Sequence, residues 1–98
     1  MIRKALEKKP GDGYIQDSLG WVYYQKGDYQ KALEELMKAH NRVPDDPVIA
    51  EHIGDVYLKL GDRANAVSFY EKALSLDKKG ERKQNVEEKL KGLEQKKK

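Results

Sequence analysis

Apolar positions along this chain recur at three- and four-residue spacing, and the whole arrangement returns after thirty-four residues. Leu19-Gly20, Tyr23, Gly27, Ala32 and Ala39 stand at spacings repeated by Ile53-Gly54, Tyr57, Gly61, Ala66 and Ala73. A fixed period of this size marks a helical repeat, in which each unit is too small to bury its apolar face alone.

The pattern predicts six helical segments, five of them within the repeat frame. Residues 2–9 carry Ile2, Ala5 and Leu6 on one helical face, and Pro10-Gly11-Asp12 stops them. Ile2, Ala5 and Pro10 fall one period before Leu36, Ala39 and Pro44. Residues 1–12 therefore read as the second helix of a repeat whose first helix would lie upstream. Asp12 is expected to cap a helix over 13–26 with Ile15, Leu19, Val22 and Tyr23 as its stripe, ended by Gly27. Asp28 then caps 29–42, with Ala32, Leu33, Leu36, Met37, Ala39 and Val43 inward. Asp46-Pro47 opens a helix over 47–60, proline being harmless at the first helical position. After Gly61-Asp62, the segment 63–76 carries Ala66, Val67, Phe69, Tyr70, Ala73, Leu74 and Leu76. Gly20 and Gly54, opposite Ala32 and Ala66, are expected to let paired helices approach closely. Short loops make consecutive helices antiparallel neighbours.

From Glu81 the period fails, because Glu87-Glu88 and Lys91 stand where Leu-Gly and Tyr are expected. Val86, Leu90 and Leu93 leave a narrow apolar stripe on a charged helix over 81–95. That is the composition of a cap: apolar toward the stack, polar outside. The expected layout is one domain, 1–98, divided into 1–12, a repeat at 13–46, a repeat at 47–80, and a capping helix with basic tail at 81–98.

These residues resemble the tetratricopeptide repeat (TPR) family, whose pattern is W-x2-L-G-x2-Y, then A-x3-F, then P. The first full repeat reads Gln16-x2-Leu19-Gly20-x2-Tyr23, Ala32-x3-Leu36, Ala39 and Pro44. The second reads Ala50-x2-Ile53-Gly54-x2-Tyr57, Ala66-x3-Tyr70 and Ala73, with Lys78 in the proline position. Both lack the opening tryptophan. The resemblance implies an all-α fold, a right-handed superhelical stack of antiparallel helix pairs with a C-terminal capping helix. The wording around Leu19-Gly20 and Ile53-Gly54 also resembles C-terminal repeats of bacterial TPR proteins, which implies an adaptor of the bacterial cytoplasm or envelope.

In that family the first helices of successive repeats line a concave groove that holds a peptide. By frame, the resemblance places Tyr14, Asp17, Trp21, Tyr24 and Gln25 on the groove, then Val48, Glu51, Asp55, Leu58 and Lys59. Aromatics beside three carboxylates suit a peptide with apolar anchors and some basic character; Trp and Tyr bury area at little entropic cost. The plainer reading is that Trp21 and Tyr24 pack on upstream helices. The dicarboxylate clamp that grips chaperone C-termini needs cations on this face. Asp17, Trp21, Glu51 and Asp55 stand there instead, which argues against it. A second hypothesis is a structural spacer or homo-oligomerisation element, joined through the apolar edge at Ile2, Ala5 and Leu6.

Composition narrows the choices further. Charged and apolar residues each make up 38% of 98 residues, too polar and short a chain for a thick core. Residues 1–77 carry 11 basic and 13 acidic side chains, net −2, whereas 78–98 carry 9 and 4, net +5. The basicity is C-terminal, and Glu87, Glu88 and Glu94 interleave it with no aromatic for base stacking, which argues against nucleic acid. There is no cysteine for a disulfide or thiolate site, and no apolar run as long as a signal h-region or a membrane span. Membrane insertion is not expected.

His40 and His52 lie on different helices at no ligand spacing, so no metal is expected. Ser18, Ser68 and Ser75 sit in no glycine-rich elbow and beside no histidine. Glu34-Glu35, Asp45-Asp46 and Glu87-Glu88 read as solvated faces or caps, and no phosphate-binding loop occurs. Neither catalysis nor a cofactor is expected, and a protein or peptide is the partner implied.

Overall fold

The computed structural model describes the backbone of residues 13–96 and the side chains of 15–93. Within these residues the chain is all-helical: α1 (Gly13–Lys26), α2 (Tyr29–Arg42), α3 (Pro47–Lys59), α4 (Arg63–Leu76) and α5 (Lys83–Lys96). The segment 2–9, with Ile2, Ala5 and Leu6, and the expected cap Asp12 lie outside the described residues. The chain divides into two compact units, Met1–Pro44 and Asp45–Lys98.

The first unit pairs α1 with α2 through a turn written in Gly27-Asp28. Gly27 takes φ +86°, a left-handed conformation that side-chain-bearing residues rarely adopt. Its N–H donates to the Tyr24 carbonyl at 3.0 Å, and the Asp28 N–H to the Tyr23 carbonyl at 2.9 Å, which satisfies the last carbonyls of α1. The Asp28 carboxylate then accepts from the Lys31 N–H and starts α2. One dipeptide ends one helix and begins the next.

α2 turns Ala32, Leu36 and Ala39 inward, all fully buried. α1 meets it at Gly20, where an added Cβ would lie 2.7 Å from the Leu36 Cγ and 3.2 Å from the Ala32 carbonyl oxygen. The expected stripe of α1 is only partly realised, since Leu19 is 43% and Val22 48% exposed. The reason is rotational. At 3.6 residues per turn, these two lie about 100° and 160° around the helix from the Gly20 contact.

The second unit repeats the device. Gly61 takes φ +83°, and the Asp62 N–H donates to the Tyr57 carbonyl at 2.9 Å. Asp62 caps α4 through the Asn65 N–H, and Asp46 caps α3 through the amides of Val48 and Ile49. α3 is the most deeply embedded helix, burying Ile49, Ala50, Glu51, Ile53, Gly54 and Val56. The nearest atoms to Gly54 belong to the ring of Tyr70: an added Cβ would fall 2.7 Å from Tyr70 Cε1. α4 contributes Ala66, Tyr70 and Ala73, and α5 closes the cluster with Val86 and Leu93. α5 starts at Lys83, two residues later than the period suggests, because Asp77 holds the amides of Glu81 and Arg82 in the preceding turn.

Candidate functional site

Each unit presents its first helix with the side chains that the repeat frame selects. On α1, Trp21 and Tyr24 stand three residues apart, so both project from the same side. Their ring centroids are 4.4 Å apart, and Tyr24 lies 5.5 Å from Tyr29 at the start of α2. All three are half-buried, Asp17 is half-buried and Gln25 is exposed. Tyr29 was missed by the sequence frame, which counts positions on first helices only. Tyr14 lies on α1, with its side chain outside the described residues.

On α3 the frame selects Val48, Glu51, Asp55, Leu58 and Lys59. Val48 is half-buried, while Leu58 and Lys59 are exposed. Glu51 differs from the open groove position expected of it. It is fully buried and meets two cations, Arg82 from the turn before α5 and Lys89 from α5 itself. Arg82 grips its carboxylate side-on, Nε at 2.7 Å and Nη2 at 3.1 Å. Lys89 Nζ approaches the other oxygen to 2.7 Å and reaches both oxygens of Asp55 at 3.0 and 3.1 Å. The Tyr70 hydroxyl donates to Asp55 as well, and Lys89 sits 5.7 Å over the Tyr70 ring. A two-pronged guanidinium–carboxylate contact fixes geometry as well as charge.

The charges are mutually supported. Burial opposes the Glu51 carboxylate, but hydrogen bonds from Arg82 and Lys89, with their positive charges, outweigh it and hold its pKa below the usual carboxylate range. Burial likewise opposes the Lys89 ammonium, and hydrogen bonds to Glu51 and Asp55 overcome it and raise its pKa. The Arg82 pKa is raised chiefly by its hydrogen bond to Glu51. On the open side the network lines a cleft of about 270 Å³ with Asn85 and Glu88. Two carboxylates expected to meet a ligand therefore meet the chain itself.

Among the described residues no group of three His, Cys, Asp or Glu side chains is placed to hold a metal ion. None of the described helices is long and apolar enough to cross a membrane.

The sequence model of the tetratricopeptide repeat-like domain matches residues 10–95, nearly the whole chain. The chain belongs to the tetratricopeptide repeat-like domain family. TPR proteins of this kind are protein-interaction modules and typically non-catalytic scaffolds. Among solved structures, the N-terminal domain of stress-induced protein-1 (STI-1) from C. elegans is similar with a TM-score of 0.77 and 21% identity, over 95% of this chain and 76% of that one. At that identity the likeness concerns the TPR fold alone. The crystal structure of MamA protein is similar with a TM-score of 0.69 and 28% identity over 81% of this chain. The match spans 43% of the MamA chain, less than half its length. No curated protein sequence matches the chain.

Proposed function

We propose that this TPR chain binds a peptide or protein segment along the groove side of its first helices, as part of a larger adaptor or assembly scaffold. The observation that carries the reading is the aromatic patch of Trp21, Tyr24 and Tyr29. Three half-buried rings lie in succession: Trp21 and Tyr24 at frame positions that contact ligands in this family, and Tyr29 beside them at the start of α2. Half-exposed aromatics offer apolar area on rigid side chains, the usual composition of an anchor site. Asp17 and Gln25 beside them supply polar character without a cation, so the patch suits an apolar anchor better than a free C-terminal carboxylate.

Trp21 is the only tryptophan, so its emission reports directly on this patch. The test is a peptide library screened against the chain and against Trp21→Ala/Tyr24→Ala, with helicity confirmed for both. Peptides that shift Trp21 emission and lose binding to the double variant support the reading. Peptides bound equally by both proteins overturn it.

A second reading is favoured by the exposure of Leu19 and Val22, 43% and 48%. Two large apolar side chains on one side of α1 suit stacking against another helix, as in a spacer or a self-associating element. The edge expected at Ile2, Ala5 and Leu6 lies outside the described residues, so this reading rests on α1. A mass by light scattering that stays monomeric across concentration would overturn self-association.

A further inference from the structure

Among the described residues, the carboxylates of α3 are met by α5 and the turn that leads into it, and this is an unusual occupant. Arg82, at the end of the turn that leads into α5, and Val86, Lys89 and Leu93 on α5 continue one stripe in which cations and apolar side chains alternate. Of its apolar side chains only Val86 and Leu93 are fully seated, with Leu90 half-buried, a thin attachment for a helix of 14 residues. Two open clefts adjoin it. One, about 270 Å³, is lined by the ion-pair residues; the other, about 510 Å³, lies between Leu74 of α4 and Gln84, Glu87, Glu88, Leu90 and Lys91 of α5.

Gly92 makes the helix weaker still. A Cβ at Gly92 would meet nothing within 4 Å, whereas Gly20 and Gly54 are needed for close packing and Gly27, Gly61 and Gly80 for their positive φ. A glycine inside a helix lowers its stability against alanine, and here no contact requires one. The seat is thus selected by charge complementarity more than by apolar fit. Lifting α5 exposes Glu51 and Asp55 to water, so opening leaves no buried charge unpaired.

We propose that the α3–α4 face beneath α5 is a docking site for an amphipathic helix of a partner protein, and that α5 occupies it in cis until that helix displaces it. The partner helix carries two cations seven residues apart and apolar side chains four, eight and eleven residues after the first cation, the pattern of Arg82, Lys89, Val86, Leu90 and Leu93. The turn at 77–82 keeps α5 at a high effective concentration, so a displacing helix must bind better than α5 does. A residue other than glycine in the Gly92 position gives it that advantage. This site lies in the second unit and stands whether or not the Trp21 patch binds a ligand.

The test uses the full chain and a labelled synthetic peptide of residues 81–96. In Arg82→Gln/Lys89→Gln the α5 amides are expected to lose hydrogen-exchange protection by at least about tenfold while α1 to α4 keep theirs. This variant should bind the peptide at least about tenfold more tightly than the wild-type chain, because the internal competitor is gone. A peptide bearing the same two glutamines should bind neither. Gly92→Ala in the full chain, which leaves the packing untouched, should protect α5 and weaken peptide binding about fourfold. Retained α5 protection in the double variant overturns the proposal, as does a released face that ignores the peptide. A wild-type chain that dimerises by exchanging α5 assigns the face to a second copy and overturns the separate partner.

Discussion

Gly54→Ala adds a single methyl group at the tightest helix contact of the second unit. The new Cβ would lie 2.7 Å from Tyr70 Cε1, 2.8 Å from Cδ1 and 3.1 Å from Cζ. Tyr70 has no room to yield, being fully buried, and its hydroxyl is tied to Asp55. Overpacking of this kind costs about 1–3 kcal/mol, and alanine returns about 0.5–1 kcal/mol of helix propensity, leaving a net loss of up to about 2.5 kcal/mol and about 1 kcal/mol at mid-range. For a chain of this size each kcal/mol moves the melting midpoint by about 4–8 °C. Gly92→Ala is the matched control, the same chemical change in open space, and should raise the midpoint. Circular dichroism melts of the two variants against wild type therefore carry opposite signs. A Gly54→Ala protein melting at or above the wild-type midpoint would refute the steric reasoning and show that the Tyr70 ring swings aside.

Other perturbations address separate features. Ala32→Leu should cost about 1–3 kcal/mol by thermal melt, because Ala32 is fully buried where α2 meets α1. Glu51→Gln keeps the shape but removes the charge that Arg82 and Lys89 share; those cations are each 34% exposed and recover hydration, so the expected loss is about 1–3 kcal/mol in urea unfolding. The wild-type advantage over Glu51→Gln should also follow pH. Glu51 has a pKa lowered from 4.5, so its stabilisation is complete above pH 4.5 and is lost as pH falls through the lowered value. Lys89 has a pKa raised from 10.5, so its contribution is complete below pH 10.5 and is lost as pH climbs through the raised value. An advantage that persists unchanged well below pH 4.5 would count against the ion-pair network.

The helices were legible because their punctuation is local. Gly27-Asp28, Asp46-Pro47 and Gly61-Asp62 each act on residues within one turn, so α1 to α4 fall where the thirty-four-residue frame puts them, the end of α3 shifting by one residue. The family was legible in Leu19-Gly20-x2-Tyr23 and its echo at Ile53. The Glu51–Arg82 contact was not, because helical periodicity treats every charge as outward-facing and thirty-one residues separate the partners. A signal did exist: Lys89 stands one whole period after Asp55, and Arg82 one period after Val48. Counting the frame through the charged segment, rather than ending it at Glu87-Glu88, aligns lysine over aspartate on adjacent helices. The exposure of Leu19 and Val22 was hidden for another reason. An apolar stripe tells that a face is apolar, not which neighbour covers it.

The aspartate–lysine register between α3 and α5 also bears on how many repeats such an array can contain. Suppose residues 47–80 were duplicated in tandem ahead of α5. The helix following the first copy would then carry aspartate where Lys89 stands now, and valine where Arg82 stands. Carboxylate would face carboxylate at the new internal seam, with Glu51 buried and its guanidinium gone. Only the final copy would find α5. The sign of charge on α5 thus acts as a length-setting terminator, making an array built from this repeat disfavour lengthening by simple duplication.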